Sequence, residues 1–176
     1  MEKSSRVKVI FTDIDGVWTD GSMYYDQQAN ELKRFCTYDG GGVYYAHVFG
    51  LKVGIITGEK TKIVENRAKK VKADYCFQGV TNKLKILNKF CLDEGLCLNE
   101  IAYIGDDVLD VPILKSGVYS ACPANAFDYV KKVCDVVLQK KGGEGVFREF
   151  VELIITSKYH TTDLLGALDI ISKKNL

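Results

Sequence analysis

Asp13 and Asp15 stand one residue apart at the end of the apolar run Val9-Ile10-Phe11-Thr12, and Gly16 follows them directly. Two carboxylates placed this way can hold a divalent cation and offer a nucleophile. Further polar signals follow in order: Thr57, Lys83, then the acidic cluster Asp106, Asp107 and Asp110. The set suits phosphoryl transfer, in which charge spreads over the phosphoryl oxygens and calls for cations and donors around it. Asp13, at the strand end, is the candidate nucleophile, since a carboxylate can form an aspartyl-phosphate. Asp15 is the candidate general acid/base, protonating the leaving alkoxide and then taking a proton from the hydrolytic water. The Thr57 hydroxyl and Lys83 ammonium are expected to bind phosphoryl oxygens. Mg²⁺ is the expected cofactor, because it prefers oxygen ligands. Asp13, Asp15 and Asp106 are its candidate ligands, with Asp107 and Asp110 supporting that shell.

Each signal alone has a plainer explanation. A Thr after a strand is usually a cap or turn former. A Lys early in a helix usually reaches into solvent, and Asp107 is a natural helix N-cap. Order and placement make the set specific. Val7 to Thr12, Val53 to Ile56, Tyr75 to Phe77, Ile101 to Ile104, Val118 to Ala121 and Val136 to Leu138 read as strands. Helices are expected at about 39–49, 60–71, 81–94, 108–115, 126–132, 145–155 and 162–173, with Asp39 capping the first. Alternating strands and helices predict an α/β, Rossmann-like doubly wound, mostly parallel sheet. In such sheets ligands gather beyond the carboxyl ends of the strands, where these residues fall. Met23 to Asp26 and Leu32 to Cys36 flank Gln27-Gln28-Ala29-Asn30 and read as a β-hairpin inserted after the first strand.

The bulk numbers narrow the classes. The chain has 176 residues, enough for a single domain spanning 1–176. Lys plus Arg number 24 against 23 for Asp plus Glu, so bulk charge gives no argument for nucleic acid or membrane surfaces. No stretch approaches the roughly 20 apolar residues of a membrane span, and no signal-peptide core precedes the first strand. Six cysteines contain no C-x-x-C pair and only two histidines accompany them, which argues against zinc. They are expected to be reduced thiols, mostly core filler, in a cytoplasmic protein.

The series Asp13-Ile14-Asp15-Gly16-Val17, Thr57, Lys83, and Gly105-Asp106-Asp107 with Asp110 resembles the four motifs of the haloacid dehalogenase-like phosphohydrolases. Residues 7–155 are most similar to a branch acting on 2-keto-3-deoxy sugar acid phosphates. The segments that carry this are 15–21, Asp39-Gly40, 55–58, Phe77-Gln78-Gly79, 102–107 and the glycine-rich tail Gly142-Gly143-Glu144-Gly145-Val146-Phe147-Arg148-Glu149. The branch includes 3-deoxy-D-manno-octulosonate 8-phosphate phosphatases and relatives that act on nine-carbon acid 9-phosphates. The resemblance implies no cap domain, Mg²⁺ dependence and a homotetramer. It implies that the hairpin, about residues 22–36, builds the tetramer, that a neighbour closes the site, and that the tail, including Arg148, reaches towards a neighbour's site.

Two positions depart from the octulosonate pattern. Glu59 stands where an Arg usually follows Thr-Gly, and Tyr38 where an Arg usually precedes the Asp-Gly turn. Arg67 and Lys70, one turn apart on a helix, remain for the substrate carboxylate. Glu59 can accept hydrogen bonds from a longer polyol, which tilts the expectation to a nine-carbon acid 9-phosphate of the deaminated sialic acid or sialic acid type. The octulosonate phosphate is the alternative, and Glu59 as a simple helix cap is the bland reading. A receiver domain is disfavoured, because its phosphoacceptor Asp precedes Thr and Lys. A non-catalytic partner of a sugar-nucleotide enzyme is disfavoured by the intact core positions. The last helix, with Leu164, Leu165, Leu168 and Ile171, can pack on the core or on another subunit.

Overall fold

A computed structural model describes residues 3–174. Met1, Glu2, Asn175 and Leu176, the ends of the expected 1–176 unit, lie outside the described residues. Strand β1 (Val9–Thr12) leads into the hairpin β2 (Tyr24–Tyr25) and β3 (Glu31–Leu32), then helix α1 (Thr37–Val48), β4 (Lys52–Ile56), α2 (Lys62–Val71), β5 (Tyr75–Phe77) and α3 (Lys83–Glu94). After these come β6 (Ile101–Ile104), α4 (Val111–Leu114), β7 (Tyr119–Cys122), α5 (Asp128–Lys131), β8 (Val136–Val137), α6 (Val146–Tyr159) and α7 (Leu164–Lys174).

The six strands other than the hairpin form one parallel sheet in the order β5-β4-β1-β6-β7-β8. All four residues of β1 are buried, because β4 and β6 flank it and helices cover both faces. Alternate side chains enter two cores. Ile10 joins α1, α2, α6 and α7 on one face, while Val9 and Phe11 join α3, α4 and α5 on the other. The strand order reverses at β1 and β6, the point at which such sheets open a crevice. Thr12 pairs with Ile55 on β4 and Ile104 on β6, so the three loops that follow start level with one another.

Three expectations are corrected. Asp39 does not cap α1, which begins at Thr37 after Cys36. It is instead fully buried and accepts from the Arg148 backbone N–H at 3.1 Å. Asp39 thereby caps α6, whose own N-cap, Gly145, has no side chain to do so. A Cβ on Gly42 would lie 3.1 Å from the Arg148 Cα, so glycine there lets the two helices meet. Glu59 does not cap α2 either; Thr61 does, accepting from Val64 N–H at 3.3 Å. The cysteines are free, but only Cys91 and Cys122 are buried, while Cys76 and Cys97 are exposed. Helix α7 packs on the core through Leu164 and Ala167 and leaves Leu165 exposed.

Candidate active site

The three loops at the carboxyl edge bring Asp13, Thr57 and Asp106 around one cavity of about 470 Å³, also lined by Asp15, Glu59, Lys83, Asp107 and Asp110. Asp13 is fixed at the end of β1, where its N–H donates to Ile104 O at 3.0 Å. Its Oδ1 accepts from Ile14 N–H at 2.8 Å. Lys83 is the first residue of α3, just after the N-cap Asn82. Its ammonium is buried and shared by Asp13 Oδ2 and Asp110 Oδ1, at 2.7 Å each.

Asp110 is saturated. Besides Lys83 it accepts from the Tyr103 hydroxyl at 2.6 Å and from the Asp106 and Asp107 N–H groups at 3.0 and 3.2 Å. Asp107 caps the short 3-10 turn Val108–Asp110 and also accepts from the Tyr129 hydroxyl at 2.7 Å. The plain capping role and a place in the cavity wall therefore coincide.

Asp13, Asp106 and Asp110 offer carboxylate oxygens within 4.8 Å of one another. Asp106 Oδ1 is buried with no hydrogen-bond partner. Such an orphan oxygen on a carboxylate grouped with two others suits a hard dication. Burial, then the charge of Asp110, raises the Asp13 pKa to about 7 against the opposing pull of Lys83. Burial, then the charges of Asp13, Asp110 and Asp107, raises Asp106 to about 8. Lys83 only partly offsets the burial and mutual repulsion of these carboxyls. Asp110 already holds four donors, which leaves Asp13 and Asp106 as the carboxylates most open to a metal. Glycine at position 16 guards the space: φ is +85°, and a Cβ there would come within 2.0 Å of Asp106 Oδ2.

The Asp15 side chain, expected among the metal ligands, is not in this carboxylate group. Its Oδ1 accepts from Lys33 at 2.7 Å and Thr19 at 3.3 Å. Lys33, on the hairpin's second arm, was not singled out by sequence reasoning. Its side chain is 1% exposed, and it also donates to Glu59 at 2.9 Å, with Glu31 Oε1 ion-paired at 3.0 Å. Burial alone pulls an ammonium's pKa down; hydrogen bonds to Asp15, Glu59 and Glu31 outweigh it and hold Lys33 well above its ordinary value. Tyr103 was also missed, although its strand gave a signal: a buried tyrosine hydroxyl requires a partner.

Of the expected substrate-binding residues, Glu59 alone lines this cavity. Arg67 donates to Cys36 O at 3.1 Å and lies over Trp18 and Phe35. It shares a separate depression with Lys70 and His47. Arg148 pairs with Glu152 and covers Tyr45. The glycine tail rests on its own chain's acidic loop, where Gly143 N–H donates to Val17 O at 2.9 Å.

A model of haloacid dehalogenase-like hydrolases matches residues 76–150. The 3-deoxy-D-manno-octulosonate 8-phosphate phosphatase of Escherichia coli (strain B / BL21-DE3) is 32% identical over 158 residues, 90% of this chain and 84% of that protein. A probable YrbI-family phosphatase from Pseudomonas syringae pv. phaseolica has a similar structure, with a TM-score of 0.89 at 35% identity, covering 96% of this chain and 94% of its own. The 3-deoxy-D-manno-octulosonate 8-phosphate phosphatase of Moraxella catarrhalis, solved with a magnesium ion, a phosphate ion and a KDO molecule, gives 0.87 at 31% identity over 90% of this chain and 91% of its own.

Proposed function

This chain belongs to the haloacid dehalogenase-like phosphatases, and on that premise we propose that it hydrolyses the phosphomonoester of a 2-keto-3-deoxy sugar acid, with Mg²⁺ as cofactor. The observation that carries the reading is the cavity floor, where Asp13, Asp106 and Asp110 face one another with a single cation, Lys83, and an orphan oxygen on Asp106. Bound beside Asp13 and Asp106, the dication would neutralise charge on the phosphoryl oxygens. Asp13 attacks phosphorus and forms the aspartyl-phosphate. Lys83, already fixed between Asp13 and Asp110, holds a phosphoryl oxygen, as does the Thr57 hydroxyl. Asp15 gives a proton to the leaving alkoxide and takes one from the water that opens the intermediate, a contribution of about a hundredfold or more. Asp107 and Asp110 keep the acidic loop in shape. These assembled roles disfavour a non-catalytic partner.

The eight-carbon 8-phosphate is the leading substrate, because the Escherichia coli and Moraxella catarrhalis relatives are described as phosphatases of it. The nine-carbon acid stays as a second reading on one observation: Glu59, in place of a family arginine, borders the cavity. The reading includes one cytoplasmic domain and a homotetramer. Among the described residues no helix is long and apolar enough to cross a membrane. Tyr25 and Leu32 of the hairpin are more than half exposed, as suits an arm covered by another copy. Arg67, Lys70 and Arg148 lie outside their own chain's cavity, so any hold on the substrate carboxylate would act on a neighbour's.

Phosphate release with Mg²⁺, measured side by side on the eight-carbon and nine-carbon acid phosphates and on p-nitrophenyl phosphate, tests the reading. Turnover of the sugar acid phosphates above the aryl phosphate is expected; no turnover of any would sink it. Dilution to monomer should lower activity on the sugar phosphates more than on the aryl phosphate, and equal losses would remove the neighbour from the site.

A further inference from the structure

We infer that Lys33 is a positioning residue that aims Asp15 at the leaving group of the substrate, an inference that rests on the phosphatase reading above. The geometry is specific. Lys33 comes from the hairpin's second arm, 18 residues beyond Asp15, and its ammonium is buried where the arm meets the acidic loop. One proton goes to Asp15 Oδ1 at 2.7 Å and another to Glu59 Oε2 at 2.9 Å. Thr19 adds a second donor to the same Asp15 oxygen at 3.3 Å. Asp15 Oδ2 accepts no hydrogen bond among the described residues, while the side chain borders the cavity and is 28% exposed.

One oxygen of Asp15 is therefore tethered, and the other has no protein donor on a side chain that lines the cavity. A carboxyl that must pass a proton to an alkoxide works only when that oxygen is within hydrogen-bond reach. An untethered carboxylate on a partly exposed loop samples several rotamers, so fixing it lowers the cost of reaching the reactive geometry. Lys33 spends its donors on Asp15 and Glu59 and acts through Asp15. The hairpin thus has a task within its own chain: it delivers the cation that sets the acid/base.

The test exploits leaving groups. p-Nitrophenolate departs readily without a proton, whereas a sugar alkoxide needs one. kcat/KM reports the steps through departure of the leaving group. Lys33→Met should lower kcat/KM on the sugar acid phosphate by about 100-fold, within the span of general acid catalysis, and on the aryl phosphate by less than about 10-fold. Lys33→Arg keeps the charge but changes the donor geometry. It should show a smaller loss with the same selectivity, and it carries the test should Lys33→Met not fold. Equal losses on both substrates, for whichever variant folds, would overturn the inference and assign Lys33 to hairpin stability alone. The native enzyme is run on both substrates in parallel. Failure there overturns the phosphatase reading itself, whereas a uniform loss with an active native enzyme overturns only the role of Lys33.

Discussion

Each side of the cavity sets three carboxylates around one lysine. On the floor, Asp13 and Asp110 share Lys83 at 2.7 Å each, and Asp106 stands beside them. At the hairpin wall, Asp15 and Glu59 share Lys33 at 2.7 and 2.9 Å, with Glu31 at 3.0 Å. The charge ratio is the same and the surroundings are not. The floor's carboxylates follow two adjacent parallel strands in register, β1 and β6, and are buried enough for Asp13 and Asp106 to be pushed up to about 7 and about 8. The wall's Lys33 and Glu31 come from a hairpin whose strands are two residues each, and Glu59 is 42% exposed, so solvent screens its charge. Excess negative charge under low dielectric creates a demand for a dication and an incoming phosphoryl group. At the hairpin wall the lysine instead ties Asp15 and Glu59 in place beside the cavity.

The contrast breaks first at Asp13. Asp13→Asn should lower kcat by more than about a thousandfold, because an amide cannot form the aspartyl-phosphate; a circular dichroism spectrum unchanged from the native one would show the fold intact. Retained turnover would move the nucleophile elsewhere. Lys83→Met should cost about 3 kcal/mol of stability, since it leaves buried carboxylates unpaired, read as a fall in Tm of roughly 10 °C. A change of only a degree or two would mean that the floor does not depend on its lysine.

The third prediction concerns pH. Burial raises the Asp13 and Asp106 pKa values, so without a dication the folded state keeps protons that the unfolded chain releases from about pH 4. The floor's contribution is then neutral at low pH, and stability falls as pH rises through about 8. A bound dication removes that penalty and competes with the protons. Mg²⁺ at hundredfold excess over its Kd stabilises by about 2.7 kcal/mol, and the gain in Tm should be larger at pH 8 than at pH 5. Equal gains at both values would place the metal away from these carboxylates. The smallest effect belongs to the rim: Glu59→Gln should shift the ratio of kcat/KM between nine- and eight-carbon substrates by roughly fivefold towards the eight-carbon acid, about 1 kcal/mol. An unchanged ratio would remove Glu59 from substrate choice.

Much of the floor was legible in the chain. Apolar runs ending in Asp13, Thr57 and Asp106 mark strands whose carboxyl ends must meet if the sheet is parallel, and Tyr75–Phe77 and Ile101–Ile104 form the strands expected. The wall was not legible. Nothing in Glu31-Leu32-Lys33 distinguishes a surface lysine from one tied to Asp15. The tie depends on how a two-residue hairpin folds back over a loop, which no periodicity encodes. Arg67 was legible as a residue of a matching motif, yet its side chain turns to Cys36 O, Trp18 and Phe35 and lines a separate depression.

By itself the sequence determined the strand–helix alternation, the edge of the sheet at which the chemistry gathers, and the types and order of the groups there. Local backbone preference and side-chain periodicity are properties of neighbouring residues, and they survive without knowledge of the whole. Only the tertiary structure decided that Lys33 holds Asp15, that Asp110 is saturated by four donors while Asp106 keeps a free oxygen, and that Asp39 caps a helix 109 residues away. Each of these depends on which surfaces pack together across long stretches of chain. At that range, burial and the geometry of a few hydrogen bonds, rather than residue type, settle what a carboxylate does.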